Sequence, residues 1–300
     1  MKRRWQRALF AALLLPCGLF CGAAQAGSLR FCDRAAALTA REQDRMLRLA
    51  STVRAALEES GEAVVLISRS GLDLDRFGQR YSHAGLALRA STNAPWSVRQ
   101  LYYACDEGRP RVFDQGLAGF VIGMDKPVIG WVSLVLLPAD AARALERAAL
   151  DDRLAVQLLS GRYSANAFAF GTLYQNCNQW VAELMATAWG DGDADRSRAQ
   201  AWLRAHAYRP TVFALNRPLL FVAGFVPWLH RDDHPADDLA MLQFRVSMPA
   251  SIEDFVRTTQ PGARRIEFCQ AGGRIVVHRG WEPVAEGCLP GEGDEVITLD

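Results

Sequence analysis

The sequence predicts an α+β protein in which helices pack against an antiparallel sheet. Thr39 and Glu42 have the spacing of a helix capping box, and apolar residues then recur at helical intervals from Met46 to Leu57. Two short apolar runs, 83–89 and 96–104, are separated by a turn-forming stretch, as expected for the strands of a hairpin. A capped amphipathic helix combined with a strand pair indicates this mixed class.

The remaining elements follow from the same two periodicities. Pro138 ends an apolar run, and Asp140 is expected to cap the helix that comes after it. Gly190 ends a second amphipathic pattern, which begins at Cys177. The expected strands are 63–68, 128–137, 265–269 and 274–278, and the other expected helices are 140–149, 152–159, 177–189, 191–207 and 252–259.

Two regions of unequal size are expected in the mature chain. A main domain covers 27–230, and a small C-terminal unit, 239–300, contains the last helix and a hairpin. Half of the 300 residues are apolar, which is enough to bury a substantial core. Residues 210–228 form an apolar, Pro-interrupted stretch, and its part 213–228 mildly favours an apolar or lipid-like ligand, although core packing is the more ordinary explanation.

The first 26 residues have the pattern of a secretory signal peptide. Four basic residues precede the uncharged run 8–23, and Ala24 and Ala26 supply small residues two positions apart. Cleavage before Gly27 would place the mature protein in the periplasm or outside the cell. A membrane anchor is the alternative, but the run is interrupted by Pro16 and is short for roughly 30 Å of hydrocarbon. We expect no transmembrane span after the leader is removed.

The charge of the mature chain argues against nucleic acid as a partner. The full chain has a formal charge of +1, and the leader contributes four positive charges, so its removal leaves −3. We also expect no cofactor and no metal. His230 and His234 have metal-like spacing, but a Pro-flanked linker seldom fixes coordination geometry.

Five cysteines remain after the leader, so an oxidising compartment should leave one thiol without a disulfide. Cys269 and Cys288 flank the C-terminal hairpin and are the first candidates for a local bridge. Cys32 could then pair with Cys105, which leaves Cys177. The other pairings stay open, including a bridge at Cys177.

Cys177 and His83 are the candidate nucleophile and general base. Cys177 lies at the expected start of a helix, where the helix dipole favours a thiolate and the first amides can bind an oxyanion. His83 opens an alternating strand whose first residue would project beside that helix terminus. The ordinary alternatives are a small buried cysteine and a surface histidine.

These residues resemble a known family. Ser82-His83-Ala84-Gly85-Leu86 resembles the histidine strand, and the stretch 174–180 resembles the cysteine helix, of the permuted NlpC/P60 papain-like hydrolases. The resemblance covers roughly 64–190 and implies a papain-like fold with Cys177 as nucleophile. Asn178 departs from the serine or glycine that often follows this cysteine. The chain also resembles secreted proteobacterial proteins known only as a domain of unknown function.

The residue that orients His83 has two candidates. A turn centred near Asn93 would bring Tyr103 opposite His83, whereas a tighter turn would select Gln100. Gln100 fits the chemistry of the family better, because its amide can accept a hydrogen bond from the imidazole. Tyr174 and Asn176 are candidate oxyanion or supporting residues, with packing as the alternative for Tyr174.

The function expected from these residues is acyl transfer through a thioester on Cys177. In the periplasm, the family resemblance implies cell-wall peptides or acylated envelope molecules as substrates. One alternative is a catalytically inactive envelope-binding protein on the same scaffold. A third hypothesis is a disulfide-stapled structural component of the envelope, in which Cys177 is bridged.

Overall fold

A large antiparallel sheet carries the fold, which confirms the α+β class. The computed structural model describes residues 38–105, 107–124 and 129–299. These residues belong to one compact unit, Ala35–Asp300. The expected signal peptide, 1–26, and Cys32 lie outside the described residues.

Ten strands and nine α-helices occur in the described part of the chain. The strands are β1 (Val64–Arg69), β2 (His83–Leu88), β3 (Ser97–Ala104), β4 (Arg109–Gln115), β5 (Ile129–Leu136), β6 (Thr211–Ala214), β7 (Gln243–Val246), β8 (Arg264–Ala271), β9 (Arg274–Arg279) and β10 (Glu295–Thr298). The helices are α1 (Ala40–Glu59), α2 (Leu117–Ile122), α3 (Ala139–Leu150), α4 (Asp152–Gln157), α5 (Cys177–Trp189), α6 (Arg196–Ala205), α7 (Arg217–Ala223), α8 (Ala236–Ala240) and α9 (Pro249–Thr259). Eight strands form one sheet in the order β10-β9-β8-β5-β1-β2-β3-β4, and β6 pairs with β7 in a separate sheet.

Helices cover both faces of the large sheet, because successive side chains along a strand point to opposite sides. On one face, Leu49 of α1 and Phe120 of α2 share a core with Ile67 of β1. On the other face, Trp180 of α5 packs in a core with Leu66 of β1. We call these the α1–α2 face and the α5 face.

The helix starts show how local sequence sets the elements. Thr39 caps α1 and exchanges hydrogen bonds with Glu42, so the predicted capping box is confirmed. The prediction that Asp140 caps α3 is wrong. The N-cap is Pro138, whose extended backbone lets the helix begin earlier, and Asp140 lies in the first turn beside Arg143.

The C-terminal hairpin belongs to the main sheet, and the C-terminal helix packs in the core beneath it, so they are not an appended unit. β8 pairs with β5 along its length, from Ile129↔Ala271 to Leu136↔Arg264. β9 and β10 then extend the sheet beyond β8. Ile252 of α9 enters the same core as α5. The last 60 residues therefore complete the sheet and the core that the earlier strands begin.

Disulfides involve three of the described cysteines. Cys269 and Cys288 are joined, with their Cα atoms 5.5 Å apart, as in the predicted local bridge. Cys105 is also disulfide-bonded, and its expected partner Cys32 lies outside the described residues. Cys177 has a thiol side chain. This pattern matches the state in which Cys177 could act as a nucleophile.

The apolar stretch 210–228 forms β6 and α7, and much of it is exposed. Phe221 and Phe225 are 70% and 73% exposed, with Val222 at 59%. Leu220 of α7 packs against the core cluster of Phe244, Val246 and Met248, so core packing accounts for one side of this helix only. Within the described ranges, no helix is long and apolar enough to cross a membrane.

Candidate functional site

The start of α5 is the centre of the candidate site. Asn176 is its N-cap, since its Oδ1 accepts a hydrogen bond from the N–H of Gln179 at 2.7 Å. Cys177 is consequently the first helical residue, as the sequence predicts. Its side chain is buried, and the residue is 7% exposed. The thiol thus lies at the positive end of the helix dipole.

The amide of Asn176 supports the helix start instead of pointing at a ligand. Its Nδ2 donates to the carbonyls of Ala165 and Ser247, both at 3.3 Å. Oδ1 and Nδ2 are therefore both engaged within the protein. Of the two roles expected for Asn176, the structure favours support over direct oxyanion binding.

Asn178, the residue after Cys177, ties α5 to the strand that carries His83. Its Oδ1 accepts from the N–H of Ala84 at 2.9 Å, and its Nδ2 donates to the carbonyl of Ser82 at 3.1 Å. Both backbone neighbours of His83 are therefore bonded to the residue that follows the thiol. Asn178 is only 2% exposed, so water competes little for these bonds. We call this arrangement the Asn178 clamp.

The Asn178 clamp lies where β2 and β3 separate. The two strands pair only over Leu86–Leu88 of β2. The carbonyl of Leu88 accepts from Trp96 on the β3 side, and alternate residues of a strand point the same way, so the N–H of Ala84 also points toward β3. Asn178 therefore takes the place of a β3 partner at Ala84. The start of α5 borders the opening between the two strands.

His83 is held by Gln100, the first of the two predicted partners. Nε2 of the half-buried imidazole is hydrogen-bonded to Oε1 of Gln100. Nε2 of Gln100 donates to Oε1 of Gln115 at 2.6 Å. With Oε1 of Gln100 facing the ring, this bond is made by the His83 tautomer that has its proton on Nε2 and its lone pair on Nδ1.

The imidazole of His83 points to the α1–α2 face of the sheet. Its ring centroid lies 5.9 Å from that of Phe120 in α2. The next residue, Ala84, packs on the α5 face in the same core as Cys177. The imidazole and the thiol therefore belong to opposite faces of the sheet.

The surroundings of His83 keep its ring neutral. Burial lowers the pKa of His83 from 6.5 to about 3, and the positive charge of Arg69 acts in the same direction. The hydrogen bond that the ring donates to Gln100 opposes this shift. Arg69 is the register partner of His83 on β1. A ring with this pKa is an unprotonated base at neutral pH.

Tyr103 lies on the other side of the sheet from His83, which corrects the alternative registration. Trp96 has a left-handed backbone, with φ 66°, and its N–H bonds to Leu88, so the hairpin pairs Leu86 with Arg99. This registration differs by one residue from a turn centred at Asn93, and a one-residue shift reverses the face of every side chain. Tyr103 instead stacks on Tyr163, with ring centroids 4.8 Å apart.

The hydroxyl and the ring of Tyr174 are both engaged by other residues of the protein. Its hydroxyl donates to Oδ2 of Asp232 at 3.1 Å and accepts from Arg162 at 2.7 Å. Its ring stacks on His230 at 4.3 Å. The phenol is thus committed to the 230–234 segment, as its alternative interpretation expected.

The histidines of that segment serve packing and backbone contacts. Nε2 of His234 contacts the carbonyl oxygen of Asn166 at 2.8 Å, and Asp233 accepts from the N–H of Phe168 at 2.8 Å. Among the described residues, no group of three or more His, Cys, Asp or Glu side chains is placed to hold a metal ion.

Sequence reasoning missed the two residues that define the surroundings of His83. The sequence shows Asn178 only as a departure from a family pattern, and it offers no local signal for Arg69. A polar residue among the buried positions that follow Cys177 was the available signal for Asn178. Arg69 could be identified only through the registration of β1 and β2.

Comparison with known proteins identifies a family but no activity. A family model described as an uncharacterized protein conserved in bacteria (DUF2145) matches residues 56–256. This range includes β1 to β3, α5 and the Asn178 clamp. Neither a curated protein nor a solved structure matches the chain.

Proposed function

Because the chain belongs to the uncharacterized bacterial family DUF2145, its function must be argued from the site, and we propose that it is a thiol hydrolase. Cys177 is the nucleophile, His83 the general base, and Gln100 the residue that orients the base. The proposed scaffold is papain-like, of the permuted NlpC/P60 type. The bond cleaved is an amide or an ester.

The Asn178 clamp is the observation that carries this proposal. It bonds the residue after the thiol to both backbone neighbours of the histidine, at 2.9 and 3.1 Å. A structural cysteine at the start of a helix does not require this arrangement. Gln100 holds Nε2 of the same histidine, and this leaves Nδ1 as the nitrogen that can take a proton.

The low pKa of His83 disfavours a preformed thiolate–imidazolium pair, so in the proposed reaction the proton moves only as the sulfur attacks. With a neutral ring, Nδ1 removes the proton of the Cys177 thiol as the sulfur attacks the carbonyl carbon. The imidazolium then gives this proton to the leaving amine or alcohol, and a thioester remains. Water attacks the thioester with the same base, which releases the acid and restores the thiol. The backbone N–H groups that open α5 face the developing oxyanion.

We further propose that the thiol and Nδ1 meet at the β2–β3 opening. His83 lies on the α1–α2 face of β2, and Cys177 packs on the α5 face in the same core as Ala84, the residue after His83. The two groups must approach to about 4 Å for proton transfer. Asn178 controls this approach because it bonds the opened edge of β2.

The exposed α7 favours an acylated envelope molecule over a peptide as substrate. Large apolar side chains seldom remain exposed together unless they meet an apolar partner, and Phe221 and Phe225 are more than two thirds exposed. The segment is also tied to the site. The carbonyl of Trp228 accepts from Ala165 at 2.9 Å, and Ala165 in turn accepts from Asn176 at 3.3 Å.

We propose that the protein acts in the periplasm or outside the cell. The leader pattern of residues 1–26 supports this location. The disulfide between Cys269 and Cys288 also supports it, because such bridges persist in oxidising compartments.

A burst experiment with the full mature chain tests the activity. p-Nitrophenyl octanoate should release one p-nitrophenol per protein molecule in a rapid phase, with the acyl group recovered on Cys177 by peptide mass mapping. Cys177→Ala should abolish the burst, and His83→Ala should slow it by about 100-fold. His206→Ala is the matched control, because His206 is exposed and lies at the C-terminal end of α6, away from β2. A burst that survives in Cys177→Ala would refute the proposed nucleophile.

A binding protein on the same scaffold is the second candidate. The low exposure of Cys177 and the position of the His83 ring on the other face favour it. Iodoacetamide labelling separates the two functions. A hydrolase should be labelled quickly at neutral pH, and His83→Ala should slow the labelling, whereas slow labelling insensitive to His83 indicates a binder. A structural role based on a bridged Cys177 is disfavoured, since the residue is a thiol.

A further inference from the structure

The helix α7 presents an exposed apolar face. Phe221 and Phe225 are each more than two thirds exposed, and the centroids of their rings lie 5.2 Å apart. Val222, which lies between them in the chain, is also exposed. Leu220 packs into a core cluster that includes Phe244, so the other side of the helix holds it to the protein. We call Phe221, Val222 and Phe225 the α7 patch.

Hydrogen bonds before and after α7 hold the α7 patch in this outward position. The N–H of Leu215 donates to the carbonyl of Leu242 at 2.9 Å, and the carbonyl of Trp228 accepts from the N–H of Ala165 at 2.9 Å. The exposure of the α7 patch is therefore a property of the folded chain. Large apolar side chains that stay exposed together mark contact with an apolar partner.

The stretch of chain around the α7 patch is basic. Residues 196–231 include six arginines and no acidic residue. Arg217 is the first residue of α7 and lies one helical turn before Phe221, so the two side chains share a face of the helix. Arg209, Arg217 and Arg231 are exposed, and none of the three forms an ion pair with a described residue. Such a patch complements a surface that is apolar inside and anionic outside.

The positive excess is local and small. Asp232 and Asp237 are exposed and follow this stretch, so two carboxylates stand against the three exposed arginines. Asp238 is paired with Arg245 at 2.7 Å. The chain without its leader has a negative formal charge, so attraction to an anionic surface must come from this region. Charge therefore adds to the apolar contact and does not replace it.

A second copy of this chain is a poor occupant of the α7 patch. In a twofold contact the same patch faces itself, which places both Arg217 side chains in one small contact. The helix has seven residues and is about 10 Å long. It is too short to supply by itself the roughly 800 Å² that each partner contributes to a stable interface. A lipid surface has no such size requirement, because acyl chains close around an inserted side chain.

We propose that α7 docks the protein on the surface of a bilayer that contains anionic phospholipid. Phe221, Val222 and Phe225 enter the boundary between head groups and acyl chains, and Arg217 stays at the level of the phosphates. Docking requires no reaction at Cys177, so it goes beyond the proposed function. It rests on that function only in that an acylated substrate would lie in the same bilayer.

Flotation of the mature chain with phospholipid vesicles tests the docking. Phosphatidylcholine vesicles with about one third phosphatidylglycerol should bind the chain at least about threefold more tightly than phosphatidylcholine alone. Phe221→Ala/Phe225→Ala should lower the partition coefficient at least about tenfold on both kinds of vesicle. Arg217→Gln should lower it about threefold on the anionic vesicles and leave it unchanged on the neutral ones.

Two valines of similar exposure provide a matched control. Val222 in the α7 patch is 59% exposed, and Val156 on α4 is 60% exposed. Val222→Ser should lower the partition coefficient about threefold, whereas Val156→Ser should leave it unchanged. Both variants change an exposed side chain, so neither opens a cavity in the core.

The docking and the hydrolysis can fail separately. Cys177→Ala should float like the wild type, so a missing burst with retained flotation refutes the enzyme alone. The docking is overturned if the chain does not float at lipid concentrations up to about 2 mM, or if it binds neutral and anionic vesicles equally. Equal losses in Val156→Ser and Val222→Ser would also overturn it. So would a dimer in sedimentation equilibrium that Phe221→Ala/Phe225→Ala dissociates while no chain floats, since a second copy would then be the occupant.

Discussion

Titration of His83 gives the sharpest test of how its surroundings act on the ring. In the unfolded chain a histidine has an ordinary pKa of 6.5, and burial together with Arg69 lowers the pKa of His83 to about 3. The folded state therefore prefers the neutral ring. Its contribution to stability is complete above pH 6.5 and is lost as the pH falls toward 3.

The magnitude follows from linkage, at about 1.4 kcal/mol per pH unit between the two pKa values. Lowering the pH from 7 to 5 should therefore reduce the free energy of unfolding by about 2 kcal/mol through His83 alone. The half-buried ring retains some contact with water, so this figure is an upper value.

Urea unfolding at pH 7, 6 and 5 measures this effect. Other groups titrate in the same range, so the quantity of interest is the difference between the wild type and His83→Gln, which has no titrating ring. The wild type should lose about 2 kcal/mol more than His83→Gln, and His206→Gln should behave like the wild type. Equal losses in the wild type and His83→Gln would show that the imidazole is already protonated, or exposed, in the folded protein.

Three further perturbations test the surrounding structure. Asn178→Ala removes two buried hydrogen bonds and should lower the free energy of unfolding by about 2 kcal/mol and slow iodoacetamide labelling of the thiol. Glu183→Ala removes a fully buried carboxylate, leaves the half-buried Arg196 without its partner and should cost about 3 kcal/mol or more, measured by urea unfolding. The double variant Cys269→Ala/Cys288→Ala opens a loop of 19 residues and should cost about 3 kcal/mol in the same assay.

Each of these has an outcome that contradicts it. Asn216→Ala removes the side-chain cap of the exposed α7 and controls for the loss of an asparagine. If Asn178→Ala lowers the free energy of unfolding less than Asn216→Ala does, the Asn178 clamp does not stabilise the fold. Unchanged stability in Glu183→Ala would mean that water already reaches the carboxylate. If the variant Cys269→Ala/Cys288→Ala is as stable as the wild type, β8 and β9 restrict this loop without the disulfide.

The sequence by itself determined the local elements and the placement of the thiol. Thr39 and Glu42 set the start of α1, and the boundaries of α5 follow from Cys177 and Gly190. These features depend on residues within a few positions of each other, since capping and periodicity are short-range. Such short-range patterns could not choose between Gln100 and Tyr103 as the partner of His83, because the left-handed backbone of Trp96 shifts the hairpin registration by one residue.

Only the tertiary structure decided which groups surround that thiol. The Asn178 clamp joins residues 94 and 96 positions apart. Contacts of this kind depend on how faces and registers combine over the whole sheet, and a one-residue change reverses them. Residue patterns could therefore identify the candidate nucleophile, but packing across the sheet determined the position and the pKa of His83, its proposed base.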